Sequence, residues 1–467
     1  MVFSSLTFMY YFLPIVLITY MISPPKLKNL ILLVSGLIFY AWGEPVYIII
    51  MIISSFVDYY AGIIIGKTKS KKRQKRTLIF SMVVDLGFLF FFKYSGFLIR
   101  IVNTCLKTDF TEPDLPLPIG ISFYTFQSMS YTIDVYLKKV NVQKNFLNYV
   151  TYVSLFPQLV AGPIVRYEDV ENEINTRKVN ADIVGEGVGY FVKGLSKKVL
   201  LANNIGMLWT EIKAMDYSQI SVVTAWLGIL AFTFQIYFDF SGYSDMAVGL
   251  GKMFGFNFPG NFNHPYQSKS ISEFWRRWHI TLGSWFRSYV YIPLGGNRNG
   301  KYKTYRNLVI VWFLTGLWHG ASINFIFWGL FYGALIIIER LGFRKILEKL
   351  PPFVSTTYTF ILVVIGWVFF DIATMPEAIS YLKAMFAGRD FCDSYSLYQI
   401  KSYAIIFILC IFASTDMWSK FTHKLENVKK MRNPYYYSIV ITQIILILMC
   451  TCYLVDATYN PFLYFRF

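Results

Sequence analysis

Two of the four histidines lie in apolar stretches, each preceded by tryptophan. His279 sits in FWRRWHITLGSWFRSYVYIPLGGNRNG (274–300), and His319 in FLTGLWHGA (313–321). An imidazole exchanges its proton near neutral pH. At membrane depth an ionisable group is costly unless it is paired or faces water, so such residues are functional candidates by default. The chemistry this suggests is proton transfer inside the membrane.

His319 stands at HGASIN (319–324), a break in an apolar stretch from Arg306 to Arg340. That stretch is too long for one span at about 1.5 Å per residue. Gly320 and three polar groups weaken a helix in lipid there. From the basic loop before it, His319 is roughly 20 Å along a helix, near the bilayer middle. Thr315 and Gly316 precede it on the same helical face, and a small, polar face suits a tunnel better than a packed interface. Asn324 is a further polar candidate at the break. A histidine bonded to a neighbouring carbonyl for packing is the alternative.

Around the first histidine, Trp275, Arg276 and His279 share a helical face, with Arg277, Trp278, Thr281 and Trp285 around them. Arginine beside tryptophan offers a cation and a stacking platform for a phosphate or nucleotide. An interfacial aromatic belt with snorkelling arginines reads equally well. In 234–255, Asp239, Ser241, Tyr243, Ser244 and Asp245 interrupt an apolar stretch. Each carboxylate needs a partner there, and an arginine or histidine of 276–279 is the natural one; structural pairing competes with catalysis. Gln127, in 116–136, and Gln158, in 155–166, lie on Pro/Gly-broken stretches that either line a cavity or kink a packing helix.

Other chemistries lack their motifs. No nucleophile elbow, phosphate loop or HExxH pair is present. The five cysteines, at 105, 392, 410, 450 and 452, have neither zinc-type spacing nor a disulfide framework. The expectation is no metal and no bound cofactor.

The elements that must hold these residues are membrane helices. Of 467 residues, 55% are hydrophobic and 15% charged, against about 25% charged in a soluble domain. Mean hydropathy is +0.45. The net charge of +17 does not indicate nucleic acid, because the basic residues cluster in short loops beside apolar runs, where they orient helices and meet lipid headgroups. The N-terminus lacks a basic region and a cleavage site, so it reads as a retained span. Spans of about 20 residues are expected at 2–22, 29–42, 46–65, 77–92, 219–238, 307–318, 323–339, 353–370, 401–416 and 435–455. Stretches 118–136, 147–165 and 185–210 are shorter or more polar. The expected fold is all-α and polytopic, with about ten to thirteen spanning or re-entrant segments. It is read as one membrane domain, 1–467, in three parts: N-terminal spans 1–114, a core 115–335 and C-terminal spans 336–467.

Charge placement orients them. The loop Lys67–Arg76 has seven basic residues and no acidic one, so it is expected inside, with Lys26 and Lys28. Arg298, Lys301, Lys303, Arg306, Arg340, Arg344, Lys345 and Lys349 fall on the same side. Loop 371–400, with Asp371, Glu377, Asp390 and Asp393, falls outside. Lys420, Lys424, Lys429, Lys430 and Arg432 are then inside, and both termini outside.

PIGISFYTFQSMSY, FPQLVAGPIVR, GLSKKVLLAN, YFDFSGYSDMAVG, the His279 segment and FLTGLWHGA, in that order, resemble blocks of the membrane-bound O-acyltransferase family, in its bacterial alginate-acetylation branch. The resemblance covers roughly residues 115–335. It implies helices around a central funnel or tunnel, with His319 catalytic and His279 a second polar site. Trp275, Arg276, Arg277, Trp278, Asp239, Ser241, Tyr243, Asp245, Gln127 and Asn324 are then donor- or substrate-binding candidates. The family usually has Arg-Asp-Tyr where this chain has Arg287-Ser288-Tyr289, which removes a carboxylate near the arginines, and Ser where Gly283 stands.

The implied reaction moves an acyl group, acetyl first, from a cytoplasmic thioester such as acetyl-CoA. It goes to a hydroxyl of a cell-surface glycan, or to an extracytoplasmic esterase-like partner that completes the transfer. The implied location is a bacterial cytoplasmic membrane, among its lipids. Alternatives are D-alanyl transfer from a carrier protein, and a transporter or flippase; no inverted repeat supports the last.

Overall fold

The computed structural model describes residues 1–113, 115–417, 420, 422, 432–456 and 463. Among them all regular structure is helical. The expected interior positions of Lys424, Lys429 and Lys430 lie outside the described residues. The chain forms two compact units, Met1–Phe191 with Ser244–Gly260, and Val192–Tyr243 with Asn261–Phe467.

The first unit holds α1 (Leu13–Ile22), α2 (Lys28–Ala41), α3 (Ile48–Lys67), α4 (Lys71–Leu106), α5 (Ile121–Tyr136), α6 (Phe146–Ser154), α7 (Phe156–Leu159), α8 (Tyr167–Asn175) and most of α9 (Ala181–Ser196). The basic stretch expected as a loop is largely the first turns of α4. The Ser70 hydroxyl accepts the Arg73 amide at 3.4 Å and starts the helix. Cations at a helix N-terminus oppose the macrodipole by only some tenths of a kcal/mol each, too little to stop a long apolar helix from extending beyond the hydrocarbon. Across α3 and α4, the Ser54 hydroxyl donates to Asp85 at 2.6 Å and Ser81 donates to Asp58. Two Ser-x-x-x-Asp faces thus interlock in a buried seam.

The second unit holds α10 (Asn203–Lys213), most of α11 (Val222–Met253), α12 (Ile271–Arg277), α13 (Ile280–Phe286), α14 (Lys301–His319), α15 (Ile323–Ile338), α16 (Arg344–Lys349), α17 (Pro352–Asp371), α18 (Met375–Ala387), α19 (Ser394–Ala413) and α20 (Arg432–Asp456). Seven described helices are long and apolar enough to cross a bilayer: α3, α4, α11, α15 with its continuation to Lys349, α17, α19 and α20. The polar run 239–245 does not interrupt α11. A helix closes its own backbone hydrogen bonds, so polar side chains break the hydropathy pattern without breaking the helix.

The expected break after His319 is present, and α14 and α15 flank it. Ser322 caps α15 by accepting the Phe325 amide at 3.4 Å. The two helices meet through glycine. A methyl at Gly316 would lie 2.2 Å from the Phe325 carbonyl oxygen, and one at Gly329 2.3 Å from that of Trp312. Gly316 therefore serves helix packing, contrary to the tunnel face expected for it.

Candidate active site

His279 is not on a helix with Trp275 and Arg276. Helix α12 ends at Arg277, Trp278 is extended, and His279 is left-handed at φ 44° before α13 begins. Such a φ is uncommon for a residue with a Cβ and marks an over-determined site. Asn261 supplies the constraint. Its backbone carbonyl accepts the Ile280 amide at 3.0 Å. Its side-chain Oδ1 accepts the Thr281 amide at 3.2 Å and the Thr281 hydroxyl at 2.9 Å. An amide N–H can only donate, so the Asn261 orientation is settled, and His279 Nδ1, 3.1 Å from the same oxygen, must be the protonated nitrogen. A neutral His279 then carries its lone pair on Nε2.

His319 is the last residue of α14, 3% exposed, where His279 is 1% exposed. Its ring is enclosed by Trp318, Trp328 and Phe370, with centroids at 4.9, 5.0 and 5.3 Å. The Trp318 indole also lies 6.0 Å from His279, so one indole packs against both imidazoles. A helix C-terminus carries partial negative charge, a favourable setting for the imidazolium that a general base becomes.

A cavity of about 460 Å³ opens beside this pair, within the second unit. Trp275, His279, Trp312 and Thr315 line its inner part, while Arg276, Arg287, Arg340 and Arg344 also face it. His319 is not on the wall. It lies one helical turn past Thr315 on α14, about 6 Å along the axis. Trp275 packs on Trp328 at 5.4 Å, and Trp328 in turn touches His319. The Trp275 and Trp328 indole N–H groups are buried and meet no acceptor among the described residues. Its lining carries four guanidinium groups against one carboxylate, Glu339, a charge excess that favours an anion.

The other candidates are placed elsewhere. Arg277 turns to Glu273 at 2.6 Å and to the Asn263 carbonyl, and Trp278 packs into the aromatic core against Phe274, Phe262 and Trp367. Asp239 does not pair with residues 276–279. It binds Lys198 at 2.5 Å and accepts the Leu463 amide at 2.9 Å. Ser241 and Tyr243 are buried in the same unit. Asn324 donates to the Ile372 carbonyl at 2.7 Å and ties the start of α15 to the end of α17. Gln127 and Asp245 belong to the first unit, where Gln127 donates to the Gln158 carbonyl at 3.5 Å. Sequence reasoning missed Asn261 and Glu339, and used Arg340 and Arg344 only to orient the chain. The Asn-rich stretch NFNHPY at 261–266 was the available signal for Asn261.

Residues 35–382 match the membrane-bound O-acyltransferase family. The chain is 43% identical over 393 residues to the probable alginate O-acetylase AlgI of Pseudomonas aeruginosa, covering 83% of this chain and 75% of that one. It is 34% identical over 420 residues to the peptidoglycan O-acetyltransferase of Helicobacter pylori, covering 82% and 80%. With the teichoic acid D-alanyltransferase of Streptococcus thermophilus it shares 31% identity over 243 residues, covering 49% and 58%. Helical architecture, two enclosed histidines and these similarities converge: the chain belongs to the membrane-bound O-acyltransferase family.

Proposed function

We propose that this membrane O-acyltransferase carries an acetyl group from a thioester donor on the cytoplasmic side to a hydroxyl of a cell-surface polysaccharide, directly or through an extracytoplasmic esterase-like partner. The observation that carries the reading is the arginine-lined cavity with His279 on its wall and His319 one turn behind. Arg276, Arg287, Arg340 and Arg344 hold the anionic end of a donor such as acetyl-CoA. Its acyl-bearing arm lies between Trp275, Trp312 and Thr315, where the Trp275 N–H offers a hydrogen bond to a donor carbonyl. No metal or resident cofactor takes part in the scheme.

His319, neutral, accepts the proton of the acceptor hydroxyl as the alkoxide adds to the thioester carbonyl. The tetrahedral oxyanion collapses, the C–S bond breaks, and the leaving thiolate takes the proton back from the imidazolium. General-base help of this kind contributes on the order of 10²–10⁴-fold in rate. His279 Nε2 can accept a hydrogen bond and so orients a hydroxyl rather than an oxyanion. Acetyl is preferred to D-alanyl because the O-acetylating relatives match 82–84% of the chain and the D-alanyltransferases 49–53%. The protein is placed in a bacterial cytoplasmic membrane with its arginine mouth inside and both termini outside, as charge placement favours.

The test is His319→Ala in a strain that expresses the protein at parental level. Surface glycan O-acetylation is expected to disappear, with Arg276→Ala weakening it. Unchanged acetylation in His319→Ala would overturn the assignment.

A further inference from the structure

The seam between α3 and α4 buries two carboxylates beside no basic side chain among the described residues. Asp58 and Asp85 are fully buried. Asp58 lies about 14 Å along α3 from Lys67, and Asp85 about 21 Å along α4 from Lys71, so both are at membrane depth. The two acids lie directly against each other, and neither pairs with a lysine, arginine or histidine. Buried charges are paired or coordinate a metal. At this depth they are functional candidates by default.

Hydrogen bonds account for one oxygen of each acid. Asp58 Oδ1 accepts the Ser81 hydroxyl and, at 3.3 Å, the Thr132 hydroxyl. Asp85 Oδ1 accepts the Ser54 hydroxyl at 2.6 Å. The remaining oxygens, Asp58 Oδ2 and Asp85 Oδ2, meet no donor among the described residues, and the Ser128 and Tyr149 hydroxyls are likewise without a hydrogen bond. Ser128 lies against Asp58 and against Tyr149, whose hydroxyl is also close enough to feel the charge of both acids. Four helices of the first unit, α3, α4, α5 and α6, thus each turn an unpaired oxygen into one fully buried seam.

We propose that this seam binds a sodium ion, with Asp58 Oδ2, Asp85 Oδ2, Ser128 Oγ and the Tyr149 hydroxyl as its ligands. The donor set is oxygen alone, which suits a hard cation rather than zinc, copper or iron. Four side-chain oxygens fall short of the about six to eight that calcium takes, and magnesium keeps waters for which fully buried side chains leave little space. Potassium, the larger alkali ion, needs a wider gap than two acids in direct contact offer. A proton shared by the acids is the rival occupant, but it uses only the two carboxylate oxygens and leaves Ser128 and Tyr149 with nothing to bind. One sodium ion between two carboxylates leaves a negative charge, which the hydroxyls donating to the Oδ1 atoms offset. The ion joins four helices and takes no part in acyl transfer.

The test uses the full-length protein in lipid nanodiscs and reads thermal unfolding and the binding of radioactive sodium, neither of which depends on acyl transfer. Sodium chloride is expected to raise the unfolding temperature saturably above that in choline chloride of equal ionic strength, as a ligand of the folded state must. One sodium ion is expected per chain. Ser128→Ala removes a neutral ligand and keeps both acids, and it should weaken sodium binding at least about tenfold, equivalent to 1.4 kcal/mol. Asp85→Asn should abolish binding. Equal unfolding temperatures in the two salts, with no sodium bound, overturn the proposal. Parental sodium affinity in both variants overturns the seam as the place. Stabilisation by calcium or potassium but not by sodium overturns the choice of ion. So does a carboxylic-acid C=O stretch in the infrared spectrum of the sodium-saturated parent that vanishes in Asp85→Asn, because a shared proton then holds the acids together.

Discussion

The Glu339 carboxylate accepts the backbone amide of Ile271 at 2.6 Å, across 68 residues of sequence. Its second oxygen accepts the Ser272 amide at 2.9 Å and the Ser272 hydroxyl at 2.5 Å. These are the orphan amides at the start of α12, so a buried acid at the end of α15 holds the segment that carries Trp275, Arg276 and His279.

Removing that acid should therefore reach the active site as well as the fold. Glu339→Ala leaves two inner amides without an acceptor, a loss of about 1–3 kcal/mol. The expected outcome is a lower unfolding temperature and a raised donor KM, because the cavity wall shifts. Glu339→Gln, which keeps one accepting oxygen, should recover part of both. A lower unfolding temperature with parental donor KM would confine Glu339 to stability.

Asn261 governs His279 by orienting its tautomer. Asn261→Ala frees the ring and strands the Thr281 amide. Turnover is expected to fall by about tenfold, or roughly 1.4 kcal/mol in barrier, with donor KM little changed, since the arginines are untouched. Steady-state kinetics with the donor varied separates the two parameters. A change in donor KM alone would place His279 in binding.

Charge at the cavity should act on the donor only. Arg276→Ala, Arg287→Ala and Arg340→Ala should each raise donor KM, and the parent's own donor KM should rise with ionic strength, because charges at an open mouth are screened. Arg277→Ala, whose partner is Glu273, should leave donor KM near parental. Salt-independent donor KM in the parent would argue that the arginines serve lipid headgroups.

Much of this was legible in the chain. Hydropathy placed α3, α11, α15, α17 and α19, and the break at Gly320 followed from composition, because both depend on local residue type. The Trp275–His279 helical face was misjudged, since periodicity cannot foresee a left-handed residue imposed by Asn261 from 18 positions away. Gly316 was misjudged for a related reason. A glycine facing a tunnel and a glycine facing another helix read alike until Phe325 is known to be opposite. Glu339 was invisible because its partners are the amides of Ile271 and Ser272, and no side-chain pattern announces a backbone partner.

Asp239 gives the sharpest division between scaffold and chemistry. With Lys198 it forms an ion pair whose side chains are 2% and 3% exposed. Deleting one member strands the other's charge, which costs about 3–5 kcal/mol, whereas apolar replacement of both is often neutral. Lys198→Met should thus sharply lower the yield of folded protein, and Lys198→Met with Asp239→Leu should restore much of it. The restoration will be incomplete, because the Leu463 amide also loses its acceptor. Acetyl transfer per folded molecule in the double variant is the deciding measurement. Near-parental turnover assigns Asp239 to the scaffold. A deep loss of turnover in well-folded protein would return it to the substrate path, where its place beside a polar run had first suggested it.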